Sequence, residues 1–196
     1  RQMCIRDRST RALMEAGVMD SKRVSSRGRI ANLSSVIRRT PGVKTSVILI
    51  GPKRYNELYE RFANLNELLA WGHAKVIKEL SGLVPECPRA LSDQFANPRV
   101  LERALARQEV NMELQQRTKG ESDVAVAAAS ILAREAFVRW IENGSEAWGL
   151  SFPLGAGAPV LESGRDFIDL HGQEPLAEVA KLHFKTTNQL TSSRNE

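Results

Sequence analysis

Two acidic residues stand where a carboxylate can do chemistry. Asp93 closes the short run Arg89–Ser92, a strand candidate, within the phrase Ala90-Leu91-Ser92-Asp93-Gln94-Phe95. Glu121 follows a stretch in which Val110, Met112 and Leu114 alternate with polar residues, and it precedes the most apolar segment of the chain. Alternation of that kind marks a half-buried strand over Val110–Arg117. In an α/β sheet, acids at strand ends and helix starts gather along one edge, where ligands bind. Carboxylate oxygens are the hard donors that Mg2+ prefers. Two such ions about 3.5–4 Å apart suit in-line attack on a phosphodiester. The same acids have plainer uses. Asp93 can cap the helix that follows it, and Glu121 can favour the N-terminus of its own helix. Asp123 is near enough in sequence to be the ligand in place of Glu121.

The elements that must position these acids can be read from period and punctuation. Ile30, Leu33, Val36 and Ile37 recur at spacings of three and four, which predicts a helix over Arg27–Arg39 with Ser25-Ser26 as its cap signal and Thr40-Pro41-Gly42 as its stop. A shorter helix is expected at Arg11–Gly17. The β-branched run Thr45–Ile50 reads as a strand. Glu57–Leu80 reads as one long helical stretch that ends before Gly82 and Pro85. Arg99–Arg107, Val124–Ile141, Glu162–Leu170 and Leu176–Leu182 complete the helices. Strands alternating with helices imply an α/β domain around a central sheet.

Composition narrows the classes. The chain has 196 residues, 42% hydrophobic and 26% charged, near globular averages, so wholesale disorder is excluded. A net charge of +5 allows a polyanionic partner without demonstrating one. Two cysteines make no disulfide scaffold and have no zinc-ligand spacing, which fits a reducing compartment, the cytoplasm. The longest apolar run, Val124–Ala129, is far short of the ~18 residues of a membrane span, so no membrane role is expected.

Several phrases taken together resemble one enzyme family. Gly17-Val18-Met19-Asp20-Ser21-Lys22 resembles the G-V-x-D-S-K phrase of the type 2 ribonucleases H. Tyr55-Asn56-Glu57, then Asn64, Asn66, Leu69-Ala70 and His73, resemble a pattern of the ribonuclease HIII branch. The phrase around Asp93 resembles that branch's A-L-I-D-Q-F. Lys119-Gly120-Glu121 followed by Ala125–Arg134 resembles its K-A-E and A-V-A-A-A-S-I-I-A-R. Gly155-Ala156-Gly157 and Ala180-Lys181-Leu182-His183-Phe184 are similar to its tail motifs. The resemblance runs over about Ala12–Thr187. It implies a ribonuclease H-like fold with a central mixed β-sheet flanked by helices. It also implies Mg2+- or Mn2+-dependent cleavage of RNA in RNA/DNA hybrids, with 5′-phosphate and 3′-hydroxyl products. Asp93 and Glu121 match the third and fourth of the family's four metal-binding carboxylates.

Departures from the family pattern shape the expectation. The family's opening acids lie in a G-x-D-E-x-G phrase on a first strand. Only 19 residues precede Asp20 here, with no Asp-Glu pair among them. The expectation is therefore a catalytic domain over 11–190 whose first strands are missing, and a chain that is inactive as written. Residues 1–10 read as a non-native or disordered segment, since Arg1–Ser9 resembles a translated adapter scar. Residues 191–196 read as a disordered tail. The interval from Glu121 to Ser130 is one residue shorter than the family's, which keeps Asp123 in contention, although Glu121 follows Lys119-Gly120 as the motif demands. Leu154 stands where the family often has lysine.

The resemblance also implies contacts with the hybrid. Asp20, Ser21 and Lys22 form a loop expected near phosphates, where a lysine anchors the backbone without reading sequence. Ser130 can donate to a phosphate or bond back to its own helix. Asn64, Asn66 and His73 can read the 2′-hydroxyl that separates RNA from DNA, or can be plain surface and packing residues. His183 has the same two readings. A monomer is expected. The competing reading is a non-catalytic basic module that binds nucleic acid.

Overall fold

Local signals and packing together decide where the elements fall. The computed structural model describes residues 2–4, 7–18, 24 and 26–192, with the backbone alone for 2–4, 7, 8, 121 and 192. The chain divides into two compact units, Arg1–Ile48 with Asn64–Phe137, and Leu49–Ala63 with Val138–Glu196.

In the first unit, α1 (Asp7–Glu15) starts earlier than the expected Arg11. Helix α2 (Arg27–Arg39) has the expected bounds, because the Ser26 hydroxyl accepts the Arg29 N–H and Thr40 stops it. Its Ile30, Leu33 and Ile37 pack with Leu13, Val24, Val43, Ala128, Ile131 and Leu132 in one buried cluster. Each such aliphatic side chain stabilises the fold by about 1.5–3 kcal/mol when fully buried.

Strand β1 (Gln2–Cys4) pairs antiparallel with β2 (Lys44–Ser46), Met3 opposite Thr45. Among the described residues, the strand expected over Thr45–Ile50 is confined to its first residues, Thr45 and Ser46. A second, parallel pair joins β3 (Arg89–Asp93) to β4 (Glu113–Arg117). Parallel strands need a crossover, and α5 (Pro98–Arg107) supplies it. Both strand directions of a mixed arrangement are present, but among the described residues they form two separate two-stranded sheets. Helix α4 (Leu65–Leu83) packs Ala70, Ala74 and Ile77 with Leu101, Ala104 and Leu105 of α5 and with Ala90 of β3. The alanines let the helix backbones approach.

The expected single helix over Glu57–Leu80 is two. Helix α3 (Pro52–Phe62) ends at Ala63, which is left-handed with φ 48°, and α4 begins at Leu65. Helix α3 belongs to the second unit. The apolar helix beginning at Val124 is longer than expected: α6 (Val124–Trp148) runs on to Gly149, whose φ of 66° ends it. Helix α7 (Ala158–His171) starts with a proline in its first turn. The expected helix Leu176–Leu182 is cut to α8 (Leu176–Val179), and α9 (Lys185–Ser192) reaches into the segment expected to be a disordered tail. Phe167, Ile168, Leu176 and Leu190 form the buried centre of this unit, with Trp148 and Phe152 against it.

Candidate active site

Asp93 is the last residue of β3, in register with Arg117 at the end of β4. Strand β4 leads into Thr118-Lys119 and a single 3-10 turn, Gly120–Ser122. Lys119 is left-handed, with φ 57°. That conformation costs an L-residue about 1 kcal/mol, and it turns the chain back toward β3. The Gly120 N–H donates to Asp93 Oδ1 at 2.9 Å, and the Gln94 N–H donates to the Arg117 carbonyl at 3.0 Å. A Cβ on residue 120 would stand 3.1 Å from Asp93 Cα and 3.3 Å from its nitrogen. Glycine lets the turn lie against the strand end. The phrase that holds Asp93 and the phrase that holds Glu121 thus make one structure.

Asp93 is exposed, and among the described residues no Lys, Arg or His lies within 4.0 Å of its carboxylate. The Gly120 N–H orients one oxygen without neutralising the charge. Ser92, 1% exposed, donates its hydroxyl to the Asp93 carbonyl at 3.0 Å and steadies the strand end. The Glu121 backbone lies in the 3-10 turn directly after Gly120. Among the described residues, no three His, Cys, Asp or Glu side chains converge as a metal cluster.

The helix caps beside the two acids are supplied by other residues. Asn97, not Asp93, caps α5, accepting the Arg99 N–H at 3.0 Å. Asp123 caps α6: its Oδ1 accepts the Ala125 N–H at 2.8 Å, and its carbonyl accepts the Ala127 N–H at 2.9 Å. An aspartate immediately before an apolar helix is the ordinary cap signal, and it identifies Asp123 from sequence.

The expected hybrid contacts among the described residues lie on several elements of the two units. Asp20, Ser21 and Lys22 lie outside the described residues. Ser130 is half-buried in α6. Asn64 is not inside a helix. It caps α4, where its Oδ1 accepts the Asn66 N–H at 2.8 Å and the Glu67 N–H at 3.4 Å. Asn66 is exposed in the first turn of α4. The His73 ring packs against Phe95, centroids 4.8 Å apart, two residues beyond Asp93. These residues belong to the first unit and His183 to the second. The His183 ring stacks on Tyr59 at 3.8 Å and lies 4.1 Å from Phe184. Burial, and secondarily the Lys181 ammonium, pushes its pKa below the usual histidine value. Sequence reasoning missed the part Gly120 plays. Its signal was a glycine where the family phrase has alanine.

A sequence model of the ribonuclease HII family matches residues 2–187, starting ten residues before the motif resemblance. Ribonuclease HIII of Chlamydia pneumoniae is 43% identical over 183 residues, which are 93% of this chain and 60% of that protein. Ribonuclease HIII of Protochlamydia amoebophila (strain UWE25) is 39% identical over 178 residues, 91% of this chain and 58% of that protein. The chain therefore spans about three-fifths of the length of these relatives. Among solved structures, Bst-RNase HIII in complex with Mn2+ superposes with a TM-score of 0.87 at 28% identity, over 96% of this chain and 62% of that one. The family and the ribonuclease H-like fold expected from the motifs are those that match.

Proposed function

The chain belongs to the ribonuclease HII family, and from that premise we propose that it serves divalent-metal-assisted hydrolysis of the RNA strand of RNA/DNA hybrids, leaving 5′-phosphate and 3′-hydroxyl ends. The observation that carries this reading is the tie between Gly120 and Asp93, which brings the two acid-bearing phrases together across 27 residues of sequence. The donor chemistry fits a hard cation. Asp93 is an exposed carboxylate without a cationic partner among the described residues, and Glu121 follows the same tie. Asp93 and Glu121 would hold Mg2+ or Mn2+. When bound, the ion supplies an activated water and charge neutralisation at the leaving 3′-oxygen. The protein's own part is to hold Asp93 in one orientation through the Gly120 N–H. The acids without the ion would repel the scissile phosphate.

Ser21 and Lys22 beside Asp20, together with Asn64, Asn66, His73, Ser130 and His183, are the proposed contacts to the hybrid. Phosphate contacts of this kind make affinity fall steeply with salt. The setting proposed is a monomer in the cytoplasm. No helix among the described residues is long and apolar enough to cross a membrane.

The test is cleavage of a labelled uniform RNA/DNA hybrid with Mn2+, with Mg2+ and with EDTA. It compares the chain, the chain preceded by a G-x-D-E-x-G strand, and Asp93→Asn in each. Metal-dependent cutting that Asp93→Asn abolishes supports the reading. Tight hybrid binding with no cutting by any folded form would replace it with the non-catalytic binding module.

A further inference from the structure

Two phrases have no part in the acid site: Tyr55-Asn56-Glu57, and Ala180-Lys181-Leu182-His183-Phe184. In the second unit they meet. The Asn56 Nδ2 donates to the Ala177 carbonyl at 3.2 Å and to the Ala180 carbonyl at 3.0 Å, while its Oδ1 accepts the Leu182 N–H at 3.0 Å. One carboxamide thus serves three backbone groups of a segment more than 120 residues away. Helix α8 has only four residues, so its carbonyls have few partners of their own.

The clasp fixes what its segment presents. The Lys181 ammonium lies over the Tyr55 ring, 4.6 Å from its centroid, and 5.9 Å from that of Phe184. The His183 ring stacks on Tyr59, one turn along α3 from Tyr55. Two cations on α3 are paired: Lys53 with Glu178 at 2.8 Å, and Arg54 with Glu57 at 2.5 Å. Lys181 is exposed, and among the described residues it has no carboxylate within 4.0 Å. Its cation–π contacts hold the ammonium in place without cancelling its charge. The residue as a whole is exposed, while burial around its ammonium lowers the lysine pKa from its ordinary value; a fixed ammonium with no carboxylate partner suits a phosphate oxygen, which lysine takes as a point charge.

We propose that Lys181 contacts the phosphodiester backbone of bound nucleic acid, and that Asn56 is the positioning residue that sets Lys181 for that contact. The identity of the polyanion rests on the hybrid-nuclease reading, whereas the clasp itself does not.

The experiment is binding of a fluorescein-labelled RNA/DNA hybrid to the full chain in EDTA, by anisotropy, from about 50 to 200 mM salt. Lys181→Ala should weaken binding about 3- to 10-fold and flatten the log–log salt slope by about 0.9, the contribution of one phosphate contact. Asn56→Ala should do the same. The double variant should be no weaker than Lys181→Ala, because both changes act through one group. Lys181→Arg should restore the slope. If the unchanged chain binds while Lys181→Ala leaves affinity and slope untouched, the contact is refuted and the nuclease reading stands. If Asn56→Ala weakens binding additively with no change of slope, its part is structural and the positioning claim fails. If the unchanged chain does not bind the hybrid in EDTA, and binds no better when Mg2+ is added, both readings fall. Should Asn56→Ala not fold, Asn56→Gln keeps the same groups on a longer stem and is read by the same slope.

Discussion

Gly120 donates its backbone N–H to Asp93 Oδ1 at 2.9 Å, and it lies so near β3 that a Cβ in its place would stand 3.1 Å from Asp93 Cα. The two facts are one arrangement. A turn close enough to orient the carboxylate leaves no room for a side chain between it and the strand. The orientation of Asp93 therefore depends on a neighbour with no functional group of its own.

Gly120→Ala tests that closeness. The methyl must push Asp93 or the turn aside by a few tenths of an ångström. Overpacking of this kind costs about 1–3 kcal/mol, offset by about 0.4–1 kcal/mol from the less flexible unfolded chain. A net loss of about 1 kcal/mol is expected in urea unfolding. In the form extended by a G-x-D-E-x-G strand, hybrid cleavage should fall with it as Asp93 is displaced. An unchanged or higher midpoint would show that β3 yields freely and that the glycine is not needed.

Glu121 and Asp123 should separate cleanly. Asp123 holds the first turn of α6 through the Ala125 N–H, so Asp123→Ala should cost about 1 kcal/mol in stability and leave metal-dependent cleavage largely in place. Glu121→Ala should abolish cleavage in the form extended by a G-x-D-E-x-G strand. Cleavage surviving Glu121→Ala but lost in Asp123→Ala reverses the assignment.

The legible parts of the sequence were those whose signals are local. Helix α2 is bounded by Ser26 and Thr40, both visible as a cap and a stop. Asp93 at its strand end was readable because Arg89–Asp93 is short and ends at the acid. The break between α3 and α4 was not, because Leu58, Phe62 and Leu65 carry the apolar period across it, and the left-handed residue is Ala63 rather than a glycine. Strand β2 was overextended because its partner, Gln2–Cys4, lies in a segment whose composition gives no sign of pairing. The meeting of Asp93 with Gly120, and of Asn56 with Leu182, depends on residues far apart in sequence, and no local pattern announces either contact.

Asn64 gives a third prediction. Its Oδ1 takes two N–H groups at the start of α4, so Asn64→Ala should cost about 1 kcal/mol, and Asn64→Asp should retain most of the stability. A contact to the 2′-hydroxyl would add a second effect. Hybrid affinity would then fall in Asn64→Asp as well, while affinity for duplex DNA would not. Equal stability of Asn64→Ala and the unchanged chain in urea would remove the capping role.

The His183 ring supplies the pH dependence. Burial against Tyr59 and Phe184, and then the Lys181 ammonium, holds its pKa below the ordinary 6.5. The neutral ring is therefore the form the fold prefers, and the unfolded chain takes up the proton first. The stability this contributes is fully present above pH 6.5, and it is lost as pH falls from there through the lowered value in the folded protein. Thermal midpoints should accordingly drop as the pH falls below about 6.5, and the drop should be smaller in His183→Gln, which cannot titrate. Lys181→Ala should also reduce the drop, because removing the nearby charge lets the ring protonate more readily in place. Parallel pH profiles for the three proteins would show that the ring is solvated rather than held in the stack.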